Sequence, residues 1–163
     1  MIRKNRKISV KAALTMVCAT LLCLSSYAQG SWSDYAAARN TIWEEKLERQ
    51  VGFLADSVCL GRGIGSRGGV EAAAWIAREF EKARLMKMDS TWFKAFRSEK
   101  GVIGHNVIGM LPSGYADCSS YVIVGAHFDH LGILHGKHYP GADANASGTV
   151  AMTSIARMMA AMR

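Results

Sequence analysis

Residues 121–126 read YVIVGA, and this short apolar run decides how the rest of the chain is interpreted. It is rich in β-branched side chains, which is typical of a strand buried on both faces of a sheet with helices above and below. Shorter extended pieces are predicted over residues 91–96 and 106–111. The link from the second of these to the central strand is only nine residues long. A parallel crossover needs more, so we expect those two strands to be antiparallel neighbours in a mixed sheet.

The segments before these strands show helical and loop patterns. Apolar residues recur at helical spacing over residues 34–54, with Asp34 placed to cap that helix, and again over 70–85. Between them, residues 61–69 (GRGIGSRGG) are too rich in glycine for a helix or a strand and predict a loop. A dinucleotide-binding fingerprint should follow a strand, whereas a helix precedes this loop, and this argues against phosphate binding.

The first 28 residues have the layout of a secretory signal peptide. Five Lys or Arg side chains lie within the first eleven residues, an apolar run follows over 12–24, and Ser26 and Ala28 precede a cleavage point after residue 28. The apolar run is shorter than the roughly 20 residues that a membrane-spanning helix needs, so we expect cleavage rather than a stable membrane anchor. The protein is therefore predicted to be exported, to a periplasm or the extracellular space, with residues 29–163 as part of one domain.

Removal of this leader changes the charge and the cysteine content. The formal net charge falls from +7 to +2 when the five cations leave, so no basic surface for nucleic acid is predicted. Cys18 and Cys23 leave with the leader. Cys59 and Cys118 remain, in a compartment where disulfides persist. Two alternatives stay open for them: a disulfide between the two, or two buried free thiols.

Polar side chains follow the predicted central strand. His127 and Asp129 come directly after it, at the end where ligands bind in open α/β folds. Since they are two apart in an extended chain, they point the same way, and Asp129 can accept the N–H of an imidazole that binds a metal through its other nitrogen. A histidine that is hydrogen-bonded for structural reasons is the alternative.

A second carboxylate follows in residues 140–148 (PGADANASG), a tight turn that opens a helix predicted over 147–162. Asp143 is that carboxylate. Asn145 and Ser147 could cap the helix, which is the structural alternative to a role in a site.

Four segments together resemble the secreted co-catalytic zinc aminopeptidases, the family that also includes the glutaminyl cyclases. They are residues 61–69, 106–109 (NVIG), 122–132 (VIVGAHFDHLG) and 139–148 (YPGADANASG), in the family's order. The resemblance implies an α/β fold with a mixed, mainly parallel sheet and helices on both faces, an α/β/α sandwich, of which this chain carries the N-terminal part. It also implies a peptide substrate and a zinc-activated water that removes the N-terminal residue.

The resemblance assigns roles residue by residue. In that family the histidine that matches His127 binds zinc and the aspartate that matches Asp129 orients it at the catalytic centre. The next motif usually reads GADDNASG, and its second aspartate bridges two zinc ions; this sequence has Ala144 there, and Asp143 matches the first aspartate. Two zinc ions about 3.5 to 4 Å apart need a shared anion. We therefore take His127 and Asp143 as candidate metal ligands. Three alternatives stay open: Asp143 takes the bridging place, the site binds one zinc ion or none, or the gene has decayed.

The family's remaining ligands and its general base lie downstream of the last helix and do not occur in this chain. We expect the chain to stop within the domain at Arg163, and we expect the 163 residues alone to have negligible peptidase activity. A non-catalytic or decayed fragment and a glutaminyl cyclase-like acyltransferase stay open as alternatives. Three further histidines, His130, His135 and His138, are predicted to be loop residues without a ligand role.

Overall fold

The computed structural model describes residues 33–113 and 119–162. The predicted signal peptide and Cys118 lie outside these residues. Within the described part of the chain, no helix combines the length and the apolar character that crossing a membrane requires.

The described residues contain four α-helices and two shorter helical stretches. The α-helices are α1 (residues 33–39), α2 (Glu44–Ala55), α3 (Arg67–Lys82) and α4 (Ser147–Ala161). A 3₁₀ helix, Ser57–Arg62, joins α2 to α3, and a π-helical stretch, Ala142–Ala146, leads into α4. The helices predicted over 70–85 and 147–162 are thus confirmed as α3 and α4, with α3 beginning three residues earlier than predicted.

The prediction of one continuous helix over residues 34–54 is wrong, because the chain breaks between α1 and α2. Both the backbone N–H and the hydroxyl of Thr41 donate to the carbonyl of Ala38, at 3.0 and 2.7 Å. Hydrogen bonds of this local kind compete with the regular helix pattern. Trp43 then adopts an extended conformation before α2 begins.

The strands are short and pair only in antiparallel fashion. They are β1 (Met86–Lys87), β2 (Phe93–Arg97), β3 (Ile103–Val107), β4 (Gly109–Met110), β5 (Ile133–Leu134) and β6 (Lys137–His138). Among the described residues they form three two-stranded sheets, β1 with β4, β2 with β3, and β5 with β6. The predicted extended pieces 91–96 and 106–111 correspond to β2 and to the end of β3 with β4.

The central strand predicted over residues 121–126 is not formed. This segment joins none of the three sheets, β4 pairs with β1 instead, and Ile123 is 91% exposed. An apolar β-branched run forms a buried strand only where neighbouring strands bond to its backbone and other elements cover its faces, and the described residues supply neither. The mixture of helices and sheets is compatible with the α/β class. The parallel sheet and the sandwich are not seen in the part of the chain described.

The hydrophobic core lies between α2, α3 and α4. Its buried members include Leu54, Ile76, Phe80 and Val150. Several large apolar side chains of α4, among them Ile155 and Met159, remain exposed on the outer side of this helix. The core therefore fixes α3 and the start of α4, which flank the candidate site.

A buried carboxylate also links these helices. Glu79 on α3 accepts hydrogen bonds from Gln50 of α2 at 2.9 Å and from Lys82 at 2.7 Å. Its other neighbour is Arg157 of α4, whose Nη2 lies 3.6 Å from the carboxylate. A buried charge is tolerated where it is paired and hydrogen-bonded, as it is here.

Candidate functional site

The glycine-rich segment is only partly a loop. Gly61 and Arg62 have left-handed backbones that interrupt the 3₁₀ helix, and residues 67–69 begin α3, so the loop prediction for 61–69 holds for 61–66. Ser66 caps α3, since its hydroxyl accepts the Gly69 N–H at 3.1 Å. A Cβ at Gly68 would lie 1.8 Å from the carbonyl oxygen of Cys59, so only glycine lets the 3₁₀ helix pack on the first turn of α3.

The same segment packs against the loop that follows His127. Gly61 has a φ of +67°, and a Cβ there would lie 2.6 Å from the carbonyl oxygens of both Gly132 and Tyr139. The Gly132 N–H donates to the Gly61 carbonyl at 3.0 Å. This backbone-to-backbone packing explains the glycine at position 61 in physical terms.

His127 and Asp129 lie side by side at the end of the exposed apolar segment. The imidazole Nδ1 is 3.4 Å from Asp129 Oδ1 and 3.2 Å from the Asp129 carbonyl oxygen. The side chains are 63% and 43% exposed, so solvent and a metal ion can reach them. With Asp129 on the Nδ1 side, Nε2 is the nitrogen that is placed to bind a metal. The roles of ligand and orienting carboxylate stay predictions.

The backbone of His127 is tied to the turn before α4. Its carbonyl accepts hydrogen bonds from the Asn145 amide at 3.0 Å and from the Thr149 hydroxyl at 3.2 Å. The interpretation of Asn145 and Ser147 as caps of α4 is wrong, because this helix starts at an Ala146 that is itself helical and has no side-chain cap. Asn145 instead joins the two segments that carry the candidate ligands.

Asp143 lies in the π-helical stretch, and both it and the adjacent Ala144 are exposed. The peptide bond between Ala144 and Asn145 is cis. Over residues 33–113 and 119–162, no three His, Cys, Asp or Glu side chains come close enough to hold a metal ion. His127, with Asp129 beside it, fits one zinc ligand position. The described residues do not assemble the remainder of a zinc site.

Arg62 is the site residue that the sequence did not indicate. It is completely buried, and its guanidinium donates to backbone carbonyls on both sides of the site. Burial lowers the pKa of Arg62, an effect that nearby Cys59 and Asp129 oppose. No pattern in the sequence separates a buried arginine from the exposed ones, so only its neighbours in space could reveal it.

The loop prediction for the remaining histidines holds for His130 and His135 but not for His138, and their lack of a ligand role stays a prediction. His135 is exposed in the turn between β5 and β6, and His138 belongs to β6. The backbone N–H of His130 donates to the Arg62 carbonyl at 3.1 Å. Burial lowers the pKa of His130, and the positive charge of Arg62 lowers it further.

A cavity of about 260 Å³ opens beside His127 and Asp129. It lies between the glycine-rich segment, α3 and the β2–β3 hairpin. Most of its wall is apolar and includes Ile64, Val70, Ile76, Phe96, Ile103 and Met152. No sequence pattern indicates this cavity, since its walls come from parts of the chain that are distant in sequence.

A comparison with known proteins agrees with the zinc peptidase family that the motifs predict. Residues 106–163 match the model of peptidase family M28, whose members are metallopeptidases that depend on zinc in general. This match supports the co-catalytic zinc peptidase family predicted from the motifs, and it confirms that prediction for the matched segment. No curated protein and no solved structure matches the chain. His127, Asp129 and Asp143 all lie within the matched residues, whereas Arg62 and the glycine-rich segment precede them.

Proposed function

We propose that this chain supplies the first part of the metal site of an exported aminopeptidase, a hydrolase that removes N-terminal residues from peptides. The observation that supports this most directly is the pairing of His127 and Asp129, 3.4 Å apart, with the carboxylate on the Nδ1 side of the ring. Asp143 is the second candidate ligand, because Asn145 ties its segment to the His127 carbonyl at 3.0 Å.

The chain by itself has negligible peptidase activity in this proposal. Catalytic zinc sites use three protein ligands and keep one position open for water. The described residues bring together fewer candidate side chains than that. Ala144 supplies no carboxylate at the place where the resemblance expects the bridging ligand. These two observations also favour a second candidate function, a non-catalytic protein that binds one metal ion or none.

Zinc binding tests the role of His127. We expect the His127→Ala chain to bind zinc at least tenfold more weakly than the wild type, measured by competition with a chromophoric chelator, because loss of the imidazole removes a ligand. His135→Asn is the matched control: its side chain is exposed in a turn, and asparagine tolerates the positive φ of 49° there. Equal zinc affinity of the wild-type and His127→Ala chains would contradict the proposed site.

The substitution Ala144→Asp tests the missing carboxylate. Position 144 is exposed, so the longer side chain can be accommodated, and we expect stronger zinc binding because a second acidic oxygen ligand is restored. Ala142→Asp adds the same charge two residues earlier, also at an exposed position. If both variants gain affinity equally, the gain comes from the general negative charge, and the assignment of position 144 is wrong.

Peptidase activity is tested with aminoacyl fluorophores in the presence of zinc. We expect no release above that of the His127→Ala chain. Zinc-dependent release that this substitution abolishes would show that the chain is active by itself. Pyroglutamate formation from a peptide with N-terminal Gln, without hydrolysis, would instead identify the glutaminyl cyclase-like acyltransferase.

A further inference from the structure

We infer that Arg62 is a positioning residue whose buried guanidinium holds the His127–Asp129 segment and the Asp143 turn together. This inference rests on the proposed function for the identity of the two segments. The hydrogen bonds that carry it come from the structure alone.

The guanidinium uses all five of its N–H donors. Nε donates to the carbonyl of Phe128 at 2.7 Å. Nη1 donates to the carbonyls of Leu54 at 2.5 Å and Pro140 at 2.7 Å. Nη2 donates to the carbonyls of Gly141 at 2.7 Å and Ala144 at 3.2 Å. An arginine has five such donors in a fixed planar fork. The side chain is therefore fully satisfied, which is what its complete burial requires.

The positions of the acceptors give this residue its role. Phe128 lies between His127 and Asp129 in the chain, and Gly141 and Ala144 lie on either side of Asp143. One rigid side chain thus contacts the backbone within two residues of each candidate ligand. It sets the separation of two segments that the hydrogen bond from Asn145 to the His127 carbonyl also joins.

Two further observations separate Arg62 from an ordinary buried residue. Among the described residues, no carboxylate forms an ion pair with it, and its acceptors are neutral carbonyls spread over three segments. It also has a φ of +53°, which non-glycine residues rarely adopt. Such conformations persist where the surroundings over-determine them and cluster at functional sites. Lysine has three donors on a single atom and cannot reproduce the fork.

The experiment compares the wild-type chain with Arg62→Lys and Arg62→Gln. Hydrogen–deuterium exchange would follow the amides of His130, Gly132 and Tyr139, whose N–H groups donate to the Arg62, Gly61 and Gly132 carbonyls. We expect these amides to exchange at least tenfold faster in both variants, while the amides of α3 keep wild-type rates. Cobalt, a spectroscopic substitute for zinc, should bind 10- to 100-fold more weakly, the usual effect of losing a group that orients ligands. Its visible absorption spectrum should change as the ligand geometry loosens.

Glu79→Gln is the matched control. It also removes a buried charge with several partners, but those partners lie on α2, α3 and α4 and not in the two ligand segments. We expect it to lower the melting temperature and to leave cobalt affinity and the loop amides unchanged. Wild-type exchange in the loop amides of Arg62→Lys and Arg62→Gln would overturn the inference, and so would equal acceleration in α3 and the loops. If the wild-type chain binds no cobalt, the proposed function fails, and the exchange rates still decide the role of Arg62.

Discussion

Replacing Gly61 with alanine tests whether close backbone packing holds the glycine-rich segment on the site loop. The new Cβ would lie 2.6 Å from the carbonyl oxygens of Gly132 and Tyr139. Ordinary contacts begin near 3.4 Å, so these oxygens must move by about 0.8 Å, the difference between the two distances. That movement strains the loop and disturbs the 3.0 Å hydrogen bond from the Gly132 N–H to the Gly61 carbonyl.

The magnitude follows from three contributions. A left-handed φ costs a non-glycine residue about 1–2 kcal/mol. Overpacking of a close contact costs about 1–3 kcal/mol. Loss of the hydrogen bond adds about 1 kcal/mol. We therefore expect Gly61→Ala to lower the free energy of unfolding by about 3–5 kcal/mol, since the contributions need not be fully additive.

Two other glycines provide matched controls. Gly136 has a φ of +75°, but a Cβ added there would have no atom within 4 Å, so Gly136→Ala should cost only the left-handed term, about 1–2 kcal/mol. Gly52 lies inside α2 with open space around it, and Gly52→Ala should stabilise the helix by about 0.5–1 kcal/mol. Urea unfolding, followed by tryptophan fluorescence, measures the free energy of unfolding of all three variants, since Trp75 lies in the core. Equal losses for Gly61→Ala and Gly136→Ala would refute the packing explanation.

Three further predictions concern other parts of the chain. Burial raises the pKa of the Cys59 thiol. The stability that the buried neutral thiol contributes is therefore complete below the ordinary thiol pKa of about 8.5, and it is lost as pH rises through the pKa of the folded state. The free energy of unfolding of the Cys59→Ala chain should not show this loss at alkaline pH. The exposed apolar segment around Ile123 should make the chain self-associate, which sedimentation measures. Ile123→Lys should lower the amount of oligomer more than Met88→Lys, a control that changes an exposed apolar residue elsewhere. Ser66→Ala should cost about 1 kcal/mol in thermal unfolding through loss of the α3 cap, whereas Ser57→Ala, at an exposed hydroxyl, should cost less than about 0.5 kcal/mol.

The parts of the fold that depend on local pattern were predicted well. Helix α3 follows from apolar spacing within a single segment, and α4 follows from a continuous stretch rich in Ala and Met. The proximity of His127 and Asp129 is local too, because residues two apart in an extended chain share a side. The apolar spacing does not predict the break before α2, since Thr41 and Trp43 interrupt the helix without interrupting that spacing.

Residue types and local spacing, which the chain shows without its fold, define the candidate site, including Ala144 where the motif it resembles usually has an aspartate. The contacts that those residues make in space depend on the tertiary structure. The segment 121–126 is apolar whether or not another strand covers it, and its burial depends on neighbours that no local pattern encodes. Arg62 became part of the site only through carbonyls that lie 8 to 82 residues away along the chain, since a hydrogen bond depends on distance in space.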